Sequence, residues 1–324
     1  MTRNLPLLLL VVAAHLWPSA GSAQLPNRVP VVGVLTVYAG PSDPVATSFR
    51  DGLAQFGYID GQNIKIDHRY ADGRVDQLPR LAQELVRLPV DIIVVGAEPA
   101  LSAVTRATTT IPIVIVSVDQ DPVASGLVKS LSHPGGNVTG IFSLQSELAL
   151  KRLELLRDTI PGIARVGVFW DPINRRGASD IEAAARSLGL AVGPIELRAP
   201  YDFDVAFRAA KKDKAGAVLV LFSPGFYIQR DRLAKAALNA RIPTMFSDKP
   251  NADVGGLMSY GPTQADLWGR TAYFVDRVLK GAKPSELPVE QVSRFKLTIN
   301  LKTAKALGIT FPGSILVRAD DVIK

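Results

Sequence analysis

The chain has 324 residues, of which 47% are hydrophobic and 21% charged, enough for two domains that each bury a proper core. It contains no cysteine, which excludes disulfide stapling, thiolate zinc sites, cysteine nucleophiles and lipid attachment through a cysteine. The formal net charge is +7, but the densest cation cluster, Lys211, Lys212 and Lys214 around Asp213, has no interleaved aromatics and reads as a solvated helix face rather than a nucleic-acid surface.

From the N-terminus, Arg3 precedes an apolar run from Leu5 to about Leu16, followed by small residues ending at Gly21, Ser22 and Ala23. That is the layout of a secretory signal peptide over residues 1–23, cleaved after Ala23. The run is shorter than the ~18 to 20 apolar residues a membrane span requires. The expected location is a bacterial periplasm, as a free protein and not a lipoprotein.

Beyond that segment, short apolar runs alternate with helix-period segments. "VVGVLTV" (31–37) reads as a buried strand, and Val45, Phe49, Leu53 and Phe56 follow on one helix face. "IKIDHRY" alternates like a half-exposed strand, and Leu78, Leu81, Leu85 and Leu88 mark a helix. "DIIVVG" (91–96), a helix near 99–108 and the apolar strand "IPIVIVSV" (111–118) complete a first block. Strands buried on both faces and separated by helices indicate a doubly wound parallel sheet.

The alternation then restarts. A helix around 146–158 precedes "RVGVFW" (165–170), a helix near 177–188, "LAVGPIEL", a helix near 203–212, "AGAVLVLF" (215–222), a helix near 227–240 and "PTMFS". "GGLMSYGP" (255–262), a helix with Leu267, Thr271, Phe274, Val275 and Val278 on one face, an extended segment and a short helix close the chain. Leftover single elements must pack on existing sheets, so the chain is expected to return to the first lobe near Tyr260 and cross again near Phe295. The expected fold class is α/β, with two doubly wound Rossmann-like lobes. Lobe 1 spans 24–141 plus 261–293, and lobe 2 spans 142–260 plus 294–324.

Five strand ends carry a polar or acidic residue and then proline: Asp43-Pro44, Glu98-Pro99, Asp121-Pro122, Asp171-Pro172 and Ser223-Pro224. Such pairs mark helix N-termini beyond strand carboxyl ends, the edge where open α/β sheets bind ligands. Capping alone explains any one junction. No catalytic constellation emerges: His15 lies in the signal segment, His68 in an alternating strand and His133 in a Pro-Gly turn. There is no G-x-S-x-G elbow, H-E-x-x-H helix or G-x-G-x-x-G fingerprint. The strand-end carboxylates Glu98, Asp119, Asp121 and Asp171 read better as caps and ligand contacts than as acid and base.

"SHPGGNVTGIF" (132–142) has the glycine spacing of a phosphate-binding loop in Gly135 and Gly140. It lacks the terminal lysine and hydroxyl residue, and its glycines precede an extended run instead of following one. The expected role is a turn at Pro134-Gly135-Gly136 followed by an extended connector between lobes over Asn137 to Phe142.

Several strings together carry a family likeness: "DPVASGLVKSLSHPGGNVTGIF", "KRLELLRDTIPGIARVGVFWDP", "GGLMSYGP", "YFVDRVLKGAKPSELPVEQVSRFKLTINLKTAKALGITFP" and "LVRADDVI". Over nearly the whole chain beyond the signal segment, the sequence closely resembles ABC-transporter substrate-binding proteins of the TrpX-like group. The resemblance implies a type I periplasmic-binding-protein fold, two lobes joined by a three-segment hinge, and a ligand held in the cleft between them. The better-understood members look like aromatic amino acid binders.

By the same resemblance the strand-end loops correspond to Gly96 to Ala100, Ser117 to Asp121, Asp171 to Asn174, Phe222 to Tyr227 and the crossing around Tyr260. The expected ligand lining is Tyr38, Ala97, Glu98, Ser117, Asp119, Asp171, Asn174, Ser223, Tyr227 and Tyr260, with Phe142, Phe222 and Phe246 as apolar walls. The chain departs from the pattern at Glu98, where many relatives have a small or hydroxylated residue. A carboxylate there repels a ligand carboxylate or holds an ammonium. The implied role is a receptor without cofactor or metal, binding an amino acid or related carboxylate. Its implied partner is an ABC permease in the inner membrane, with no nucleic acid, and the receptor is expected to be a monomer. A periplasmic sensor subunit is the alternative, and an enzyme on the same bilobed frame a more distant one.

Overall fold

The computed structural model describes residues 28–37, 44–172, 181–182 and 185–324. Six strands form the first sheet: β1 (Val31–Thr36), β2 (Lys65–Tyr70), β3 (Ile92–Gly96), β4 (Ile113–Val118), β5 (Val138–Phe142) and β11 (Val289–Gln291). Seven form the second: β6 (Arg165–Trp170), β7 (Ala191–Glu196), β8 (Ala217–Val220), β9 (Thr244–Phe246), β10 (Met258–Gly261), β12 (Lys296–Asn300) and β13 (Asp321–Ile323). The orders are β11-β5-β4-β3-β1-β2 and β13-β12-β10-β9-β8-β6-β7. Every pairing is parallel except β10 with β12.

The continuous apolar strands explain the layering. Alternate residues of β3 and β4 point to opposite faces, so Ile93, Val95, Ile113 and Ile115 join the Leu78–Arg87 and Glu98–Ala107 helices on one side. Ile92, Val94, Val114 and Val116 meet Phe49, Leu53, Leu267, Trp268, Phe274 and Val275 on the other. Each such side chain contributes about 1.5–3 kcal/mol on full burial. The second sheet repeats the plan: Val166, Val168 and Leu219 face Leu153 and Leu156 of the Gln145–Thr159 helix. On its other face Phe169, Val218 and Val220 meet Phe207 and Leu233.

The chain passes between the sheets three times, after β5, after β10 and after β11. After β10 it returns as the Gln264–Leu279 helix, which packs on the first sheet and stacks Trp268 against Phe49 with ring centroids 5.4 Å apart. Two lobes built this way have the fold expected from the sequence.

Some local expectations are corrected. The run Asn137 to Phe142 is not a connector: Val138–Phe142 is β5, buried along its length between β4 and β11. Its Thr139 hydroxyl donates to the Leu287 carbonyl at 3.0 Å. Gly140 serves this pairing, with φ at +121°, because an added Cβ would run into the backbone of Ile115, where β4 bulges. The helix expected near 227–240 is two, Pro224–Ile228 and Arg230–Ala240, because the Ser223 hydroxyl starts the first by accepting from the Gly225 N–H at 3.1 Å. The Gly313–Arg318 helix and β13 had no periodic signal long enough to read. Of the helix expected near 177–188, residues 181–182 and 185–188 are described; 181–182 and 185–187 are helical and 188 lies in a turn. The proposed signal segment lies outside the described residues.

Candidate functional site

The carboxyl ends of the second sheet's strands collect buried polar groups. β6 ends at Asp171, which is 2% exposed. Its Oδ2 accepts from the Tyr201 hydroxyl at 3.1 Å and from the Ser223 hydroxyl in a short contact. Ser223, just past β8, thus donates to Asp171 while capping the Pro224–Ile228 helix. Gly225 makes this fit possible, since a Cβ there would strike the Tyr201 hydroxyl. Tyr201 is held by Phe226 edge-on at 5.0 Å and Phe203 stacked at 5.8 Å.

Beside this cluster a small open recess, with room for about one water molecule, is lined by Phe222, Ser223, Tyr227, Phe246, Asp248 and Asn251, among others. Tyr227 is buried, its carbonyl accepts from Arg230 Nη1 at 3.0 Å, and the Arg230 guanidinium lies over its ring at 5.0 Å. Asp248 and Asn251 follow β9, and the Asn251 amide donates to Asp248 Oδ1 in a short contact. Burial pushes the Asp248 carboxyl up from its ordinary value, against the Asn251 hydrogen bond and the charges of Arg152 and Arg230.

Arg152 is a fully buried cation on the Gln145–Thr159 helix, 1% exposed. Its Nε donates to the Tyr260 carbonyl at 2.7 Å, at the end of β10 where the chain leaves the second sheet. Burial draws its guanidinium down to about 10, opposed by Asp248, Asp119 and Tyr260. Asp119 follows β4 of the first sheet, so Arg152 senses carboxylates from both sheets. Gly261 lets the departing chain pass against the Ser247 carbonyl, which a Cβ would overlap.

On the first sheet, β3 leads through Ala97, a non-glycine residue at φ +71°, into the Glu98–Ala107 helix. Such backbone costs about 1–3 kcal/mol and is concentrated at functional sites. Glu98 is the half-buried first residue of that helix, not its cap. Asp121 was expected to start a helix and instead tops a turn, taking the Val123 and Ala124 N–H groups at 2.8 and 3.1 Å.

The structure therefore gathers Asp171, Phe222, Ser223, Tyr227 and Phe246 at one edge. Ala97, Glu98, Ser117 and Asp119 stand at the ends of the adjacent strands β3 and β4, the Ser117 side chain being outside the described set. Tyr260 is half-buried at a crossing, its ring 5.8 Å from Phe295. Phe142 packs into the first sheet's core at 3% exposure. Tyr38 and Asn174 lie outside the described residues. Among the described residues no group of three or more His, Asp or Glu is placed to hold a metal, and no helix is long and apolar enough to cross a membrane.

Sequence reasoning missed Arg152, Tyr201, Asp248 and Asn251. Arg152 had a readable signal, standing four residues after Leu148 and four before Leu156 in an otherwise apolar stripe. Asp248-Lys249-Pro250 repeats the strand-acid-proline pattern with one residue inserted. Tyr201 and Asn251 carried no such signal.

Comparison with known proteins is consistent across sequence and structure. The model of the ABC transporter substrate binding protein family matches residues 31–323. A tyrosine-binding protein of Clostridioides difficile (strain R20291) is 28% identical over 283 residues, covering 85% of this chain and 80% of that one. The solved structure of an ABC domain in complex with L-Trp from Streptococcus pneumonia is 30% identical with a TM-score of 0.80, over 91% of this chain and 100% of the other. The ligand-free, open structure of a substrate-binding protein with adhesive properties from Clostridium difficile is 25% identical, with a TM-score of 0.64 over 91% and 100% of the two chains.

Proposed function

We propose, because the chain belongs to the ABC transporter substrate-binding protein family, that it is a periplasmic receptor that closes on an aromatic amino acid or related carboxylate and delivers it to a permease for import. The observation that carries this reading is the recess at the ends of β8 and β9, where Phe222, Tyr227 and Phe246 stand beside Ser223, Asp248 and Asn251. Aromatic walls with a few placed polar groups suit a ring-bearing ligand with charged ends. That relatives bind tyrosine and L-Trp supports the same ligand class.

The chemistry is binding alone. A charged ligand is costly to bury unless each charge is paired, so groups from both lobes must converge on it. The proposed lining is Tyr38, Ala97, Glu98, Ser117 and Asp119 from the first lobe. Asp171, Asn174, Phe222, Ser223, Tyr227, Phe246 and Tyr260 complete it from the second. The crossings after Phe142, Gly261 and Gln291 are the proposed hinge. A cleaved leader over residues 1–23 and a monomeric receptor complete the proposal.

Calorimetry with L-tyrosine, L-tryptophan and simple sugars tests the ligand class, and solution scattering tests closure. Micromolar binding requires only about −8 kcal/mol net. Binding of L-tyrosine or L-tryptophan with a smaller radius of gyration in the complex is expected; no binding of either, with sugars binding instead, would refute the ligand class.

A further inference from the structure

We propose that Asp248 and Asn251 form the subsite for a ligand's ammonium group, a refinement that rests on the receptor reading above and names the residues that take the positive charge. Both are nearly inaccessible, at 4% and 5% exposure, and both line the recess beside β8 and β9. The Asn251 amide nitrogen occupies Asp248 Oδ1. Asp248 Oδ2 and Asn251 Oδ1 have no hydrogen-bond partner among the described residues. Two buried acceptors without donors, side by side at a cavity wall, are costly unless something supplies N–H or O–H groups.

An ammonium fits this demand. It has three donors and no acceptor, so it satisfies both oxygens, whereas a ligand carboxylate is repelled by them. Phe222, Phe226, Tyr227 and Phe246 line the same recess, and burial that disfavours a lone Asp248 carboxylate is offset when an ammonium pairs with it. No hydrogen bond joins either nearby cation to the open oxygens. Arg152 Nε is directed to the Tyr260 carbonyl and Arg230 Nη1 to the Tyr227 carbonyl. They hold Asp248 electrostatically without occupying Oδ2. Asp171 differs in that its Oδ2 already accepts two hydroxyl donors, and it does not line this recess.

The test measures binding of L-tryptophan, tryptamine and indole-3-propionate to the wild type, Asp248→Asn and Asn251→Ala by calorimetry. Wild type is expected to prefer L-tryptophan over indole-3-propionate by roughly 10- to 100-fold, the span of one or two hydrogen bonds to a charged group. Asp248→Asn should collapse that preference to within about threefold by weakening L-tryptophan and tryptamine while leaving indole-3-propionate unchanged, and Asn251→Ala should lower it partway. If Asp248→Asn does not fold by circular dichroism, the Asn251→Ala ratio decides. An unchanged preference in the variants, or equal loss of all three probes, overturns the subsite while leaving the receptor reading intact. Tryptamine binding that depends on Asp248, without L-tryptophan binding, supports the subsite and refutes the aromatic amino acid reading. If none of the three binds wild type, both fall.

Discussion

Asp171 and Asp248 are both buried carboxylates just past strands of the second sheet, β6 and β9, yet the protein uses them in opposite ways. Asp171 is knitted to Tyr201 and Ser223, which join the chain after β7 to the helix after β8. Asp248 keeps one oxygen without a partner among the described residues, beside a cavity and near a buried arginine. The same local pattern, a strand followed by an acid and a proline, thus yields an internal tie in one place and a poised acceptor in the other. What separates them is the donors that tertiary packing brings to each, which the pattern itself does not encode.

The strongest way to break this contrast is to remove the cation that Asp248 depends on. Arg152→Met leaves a buried carboxylate without its main countercharge and should cost about 3–5 kcal/mol at neutral pH, read from urea denaturation. The loss should shrink as pH falls, because Asp248 can then be protonated, and it should shrink equally in an Asp248→Asn background. A loss below about 1 kcal/mol would show that Arg152 does not balance Asp248.

Replacing each acid by its amide should separate the two directly. Asp171→Asn weakens charge-assisted bonds from two buried hydroxyls and should cost about 1–3 kcal/mol. Asp248→Asn should cost less at pH 7, since burial disfavours the charged form it removes and Asp119 and the Tyr260 carbonyl still face Arg152. Equal losses in the two variants would erase the distinction. A carboxyl raised in the folded state stabilises the fold below its unfolded value, near 3.8, and that contribution is lost as pH rises through the folded value. Wild type should therefore show a component of stability that falls as pH climbs above about 4, and Asp248→Asn should lack it. The groups that act on this titration are Arg152, Arg230 and Asn251. Denaturation midpoints from pH 4 to 8 would check the slope.

The strands and most helices were legible because continuous apolar runs such as "IPIVIVSV" and the Leu78, Leu81, Leu85 spacing report burial directly. The run Asn137 to Phe142 was misread because a buried strand and an extended connector look alike in sequence; only the pairing with β4 and β11 distinguishes them. The site was legible as an edge and not as a set of contacts. Asp171 and Ser223 were identifiable at strand ends, but their mutual hydrogen bond spans 52 residues and has no periodic trace. Arg152 was visible as a cation in an apolar stripe, but its role has meaning only once Asp248 and Tyr260 are placed around it.

The smallest expected effect sharpens the comparison most. Tyr201→Phe removes one of the two hydroxyl donors that Asp171 Oδ2 accepts and leaves the ring to pack on Phe203 and Phe226. Ser223 still donates to the same oxygen, so the loss should be a single hydrogen bond, about 0.5–1.5 kcal/mol. Ligand affinity should stay within about twofold, because Tyr201 does not line the recess and the Ser223 cap that does is unchanged. Asp248→Asn should give the reverse, altered affinity with stability nearly intact. If Tyr201→Phe instead changes affinity and spares stability, Asp171 and not Asp248 holds the ligand's charged end and the roles assigned to the two aspartates must be exchanged.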